Sequence, residues 1–133
     1  MLRHLTLLVL AALVITALPL NTTPAAEKKM PQHVITVLYP NSPGVTFDFD
    51  YYFKHHKTMI EKLYGKGIKR YEVRRGLATP DNKAPPYIAV ISITVGSQKL
   101  FDEAAAKYTQ RLVDDMKNFT NGVPVIQTDE VVE

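Results

Sequence analysis

The chain has 133 residues, of which 46% are hydrophobic and 22% charged, with a net charge of +3 and neither Cys nor Trp. Once an apolar leader is set aside, that length holds one small domain and not two. The missing cysteines exclude disulfides, thiolate metal sites and thiol nucleophiles, and so small a positive excess gives no argument for nucleic acid as a partner.

Residues 1–26 read as a secretory signal. Arg3 and His4 form a short basic start, Leu5–Leu20 is an apolar run, and Asn21–Ala26 is polar with small residues suited to cleavage. The run is short for a membrane span, which takes about 20 apolar residues. Cleavage implies a secreted or periplasmic protein; an uncleaved leader would instead anchor it to a membrane. Residues 27–133 form the expected single domain.

In that domain His33–Tyr39 is β-branched and aromatic, which predicts a strand. Pro40–Gly44 is a turn cluster. Asp48–Tyr64 predicts a helix, with Asp48 as N-cap and Gly65 at the position that ends it. Ile68–Leu77 predicts a charged strand, Thr79–Pro86 a loop, and Tyr87–Val95 an apolar central strand. Ser97 caps a second helix through about Met116, Asn118–Gly122 turns, and Val123–Val132 is a last strand that Pro124 assigns to an edge. The order β-α-β-β-α-β predicts an α+β, ferredoxin-like fold: a four-stranded antiparallel sheet with two helices on one face. Either parity of the two apolar strands is largely apolar, so the uncovered face is expected to pack against a second copy, sheet to sheet.

The chemistry concentrates in Asp48–His56 (DFDYYFKHH). At helical spacing Phe49, Tyr52, Phe53, His56, Ile60 and Leu63 share one face, which turns His56 toward the sheet and leaves His55 nearer solvent. A histidine on an apolar face needs a partner. The residues alone leave two readings open: a structural histidine bonded to a carbonyl or a Tyr hydroxyl, or a proton-transfer group lining a pocket. Lys69-Arg70 and Arg74-Arg75 read as edge protection, and Asp114 and Asp115 as a solvated helix end. Adjacent His55 and His56 diverge on a helix, so no metal site is expected. No G-x-S-x-G elbow and no Gly-rich phosphate loop is present.

The segments VLYPNSPGVTFDFDYYFKHH, APPY at Ala84–Tyr87 and PVIQTDEVV resemble the EthD family of small dimeric α/β-barrel proteins, from about Val34 to Val132. The family's helix histidine falls on His56 and its paired tyrosines on Tyr51 and Tyr52. Many relatives carry Pro where this chain has Thr58, and the leader is unusual for the family. The resemblance implies a homodimer binding a small apolar organic molecule, without a cofactor. Its implied chemistry is proton transfer or cofactor-free oxidation, as in oxidoreductases and isomerases of similar barrels. His56 would be the base and Tyr52 would position it, with Tyr51 and Phe53 on the substrate wall and Tyr87 at the rim. The alternatives are a non-catalytic accessory that holds a hydrophobic compound, and a haem-binding protein.

Overall fold

The structure is a computed structural model that describes residues 31–132; the leader assigned to residues 1–26 lies outside the described residues. Four strands, β1 (His33–Pro40), β2 (Ile68–Arg75), β3 (Tyr87–Val95) and β4 (Val125–Glu130), form one antiparallel sheet in the order β2-β3-β1-β4. The apolar, β-branched β1 and β3 take the two central places, where they pair over most of their length. The charged β2 and the Pro124-led β4 take the edges, and Lys69, Arg70, Arg74 and Arg75 are all exposed. The ferredoxin-like order expected from the sequence is therefore the observed one.

The first helix, α1, is continuous but not uniform. It starts as an α-turn at Phe49–Tyr51, widens to π-helical winding over Tyr52–Lys57, and returns to α-helix over Thr58–Tyr64. Asp48 caps it as expected, its side chain accepting from Tyr51 N at 2.9 Å. Gly65 ends it at φ +47°, a left-handed conformation that glycine adopts without a Cβ clash. The helix continues unbroken through Thr58, whose hydroxyl donates to the Phe53 carbonyl at 3.1 Å. The second helix, α2 (Gln98–Asp115), is capped by Ser97 and runs into a 3-10 turn at Met116–Asn118.

Both helices lie on one face of the sheet. The buried core there joins Tyr39, Ala89, Ile91 and Ile93 of the sheet to Tyr52 and Phe119, and a second cluster gathers Ile60 and Tyr64 of α1 with Ala104 of α2. This settles the parity of the central strands. Ile91 and Ile93 belong to the covered face, and their sheet neighbours Val37, Ile35, Val73 and Tyr71 share it. Val34, Thr36, Leu38, Val90, Ser92 and Thr94 form the opposite face, only partly buried in the single chain. No helix among the described residues is long and apolar enough to cross a membrane.

Candidate functional site: a buried histidine beside an apolar cavity

His56 is 5% exposed and sits on the inner side of α1, one turn after Tyr52. Its ring lies 4.5 Å from the Phe119 ring and 5.3 Å from the Tyr52 ring, centroid to centroid. Its Nδ1 is 2.8 Å from Asp115 Oδ2. A carboxylate can only accept, so Nδ1 carries the hydrogen and the neutral ring keeps its lone pair on Nε2. Among the described residues Nε2 has no hydrogen-bond partner, and no fully buried side-chain polar atom is left unsatisfied. Nε2 is therefore open to a guest.

Asp115 is the centre of a small network. Its Oδ1 accepts from the Tyr51 hydroxyl at 2.9 Å and from Asn118 Nδ2 at 2.9 Å, and Asn118 Nδ2 also reaches the Tyr51 hydroxyl at 3.1 Å. Burial works against the charge of Asp115, but the hydrogen bonds from His56, Asn118 and Tyr51 outweigh it and hold the carboxyl below its ordinary range. Burial pushes His56 below the ordinary imidazole value, and Asp115 offsets this only in part. The pair at neutral pH is thus a neutral imidazole oriented by a carboxylate, the arrangement of a general base with its orienting group.

The π-helical winding explains how Tyr51 and His56 reach one carboxylate. Residues five apart point about 140° away from each other on an α-helix. Winding with i→i+5 hydrogen bonds brings such residues onto one side. The same widening overturns one expectation. Phe53, assigned to the inner face by α-helical spacing, is 46% exposed and lies outside the cavity lining. Tyr51 also stands outside the cavity, behind the histidine, where it binds Asp115. Tyr87 is half-buried at the start of β3 and does not line the cavity either. Of the expected site residues, His56 and Tyr52 come together on the cavity wall.

That cavity, about 320 Å³, lies between the covered face of the sheet and the two helices. Its size falls at the low end of small-molecule sites. Ile35, Val37 and Ile93 form its floor, Leu112 and Met116 of α2 a wall, and it contains no Asp, Glu, Lys or Arg side chain. The mouth lies between α2 and β4, where Val113 and Ile126 line the cavity yet remain 51% and 62% exposed. A second polar element sits inside: the hydroxyls of Tyr52 and Tyr71 are 2.6 Å apart. Burial pushes both phenols well above their ordinary value, so both stay protonated. A larger, shallower depression near Arg75 and Phe49 holds neither His56 nor the tyrosine pair. Among the described residues no group of three or more His, Asp or Glu is placed to hold a metal ion.

Three functional residues escaped the sequence reading. Asp115 is not a solvated helix end: it is half-buried and bonded three times, whereas its neighbour Asp114 is exposed as expected. Asn118 and Tyr71 are the other two. Asn118 bonds Asp115 three residues before it and Tyr51 67 residues away, and Tyr71 bonds Tyr52 19 residues away.

The chain has the ferredoxin-like fold of EthD-like proteins of known structure. The crystal structure of an EthD-like protein from Ralstonia eutropha JMP134 is 29% identical, with a TM-score of 0.71 over 77% of this chain and 94% of that one. That of an ethyl tert-butyl ether d (EthD) family protein from Bacillus halodurans C-125 is 18% identical, with a TM-score of 0.58 over 77% of this chain and all of the other, a likeness of fold. No protein-family model matches the chain, and no curated protein matches it.

Proposed function

We propose that this protein binds a small, largely apolar organic molecule in the cavity between sheet and helices, and that His56 acts on it as a proton-transfer base. One observation carries the reading: the imidazole is fixed through Nδ1 by Asp115, its Nε2 has no protein partner, and the residue lines an otherwise uncharged cavity. A purely structural histidine would need only its bond to Asp115, with no adjoining space. The test is binding of naphthalene or indole, followed by methyl NMR of Ile93, Leu112 and Met116. The expected result is a shift of these resonances that the cavity-filling change Val37→Phe abolishes. Unshifted resonances, or equal shifts in the filled variant, contradict the reading.

The active form in this proposal is a homodimer. The helices cover one face of the sheet, and Val34, Leu38 and Val90 stand on the other. Replacing Leu38 and Val90 by Lys should give a folded monomer, since neither belongs to the covered core. A wild-type protein that is monomeric by light scattering at micromolar concentration contradicts the dimer. Export, by cleavage near Ala26, completes the proposal, and the mass of the mature chain checks it.

A further inference from the structure

Resting on that reading of the cavity, we infer that its ligand is a neutral carbonyl compound with an acidic α-C–H, and that the Tyr52–Tyr71 hydroxyl pair receives the oxygen of its enolate. Two hydroxyls 2.6 Å apart share one hydrogen, because one must donate to the other. The pair therefore has a second O–H hydrogen, which finds no acceptor among the described residues. Both rings line the cavity together with His56, and Tyr52 stands one helical turn before the base, the two ring centroids 5.3 Å apart.

A base and a hydrogen-bond donor lining one cavity can serve the two ends of one chemical unit. An α-C–H faces Nε2, and the adjoining carbonyl oxygen faces the hydroxyl pair. In the step, the C–H bond breaks and its proton goes to Nε2. The electron pair forms the C=C bond, and the carbonyl π electrons move onto oxygen, which accepts the spare tyrosine hydrogen. The imidazolium that forms is held by Asp115 through Nδ1. Returning the proton to the same carbon gives exchange; returning it to a conjugated position gives isomerisation. No oxidant or reductant enters. The absence of Asp, Glu, Lys and Arg side chains from the lining favours a substrate that is neutral on arrival, and a donor in such a site acts where charge develops.

The test uses three probes of one size: 2-tetralone as the enolisable ketone, 2-naphthol as a planar stand-in for its enol, and tetralin as the hydrocarbon without oxygen. In deuterated buffer the wild-type protein should exchange the C1 hydrogens of 2-tetralone faster than buffer alone, read by NMR. His56→Ala should lower that exchange by roughly 10²–10⁴-fold, and His55→Ala should leave it unchanged. Tyr71→Phe should slow exchange and weaken 2-naphthol binding while sparing tetralin. The wild-type result decides the matter even where a variant fails to fold. If 2-naphthol and tetralin bind equally and no exchange occurs, the enolising site is refuted while the small-molecule reading stands. If none of the three binds, both fall.

Discussion

His55 and His56 are consecutive on one helix, yet they occupy opposite regions of the molecule. His55 is exposed, its ring tilted against that of Tyr51 with centroids 4.7 Å apart, in a shallow cleft with Lys54, Lys62 and Arg111. His56 is buried, bonded to a carboxylate from the other helix, and open through one nitrogen to an apolar space. The imidazole is the same in both. What differs is desolvation, an orienting acceptor and an adjoining space, the features that the proposed base requires.

The comparison is broken most severely at Asp115. Asp115→Ala leaves the Nδ1 hydrogen of a buried ring without its acceptor and also strands Tyr51 and Asn118. The expected loss is about 1–3 kcal/mol in denaturant unfolding. No change in midpoint would mean that the network contributes nothing. Asn118→Ala removes two hydrogen bonds at a more exposed position and should cost about 0.5–1.5 kcal/mol. His55→Ala should stay within about 0.5 kcal/mol, since it removes no hydrogen bond and empties no core.

Acidity sharpens the contrast further. The folded-state pKa of His56 lies below the ordinary imidazole value, so the unfolded chain takes up the proton first as pH falls. The stability His56 contributes is complete above about pH 6.5 and is lost as pH falls through its folded value. Asp115 has the same sign at lower pH, because its folded pKa is also depressed. Base activity follows the neutral ring, so it should hold down to a pH below the ordinary imidazole value and then fall. His56→Gln should flatten the part of the stability profile just below neutrality; an unaltered profile contradicts the assignment.

Much of the fold was legible in the sequence because its signals are local. Asp48 and Ser97 announce their helices, Gly65 ends one, and the composition of Tyr87–Val95 marks a central strand. The inward turn of His56 was legible for the same reason, as it follows from spacing to Tyr52 and Ile60. Two things were not. The α-helical period misplaces Phe53, because six residues of α1 wind as a π-helix and nothing in YFKHHK declares it. The partner of His56 lies 59 residues away on α2, so Asp115 looked no different from Asp114 until the helices were packed together. Long-range pairing decides the electrostatics of the site, and it appears only in three dimensions.

In the proposed site His56 is held as its Nδ1–H tautomer, with Nε2 free to meet a guest. Nitrogen-15 NMR of the histidine side chains reads this directly. The expected spectrum shows a protonated Nδ1 with a slowly exchanging hydrogen, lost in Asp115→Ala, and an unprotonated Nε2 whose resonance moves when 2-naphthol is added. A hydrogen found on Nε2 at neutral pH, or an Nε2 resonance indifferent to every guest, would contradict it.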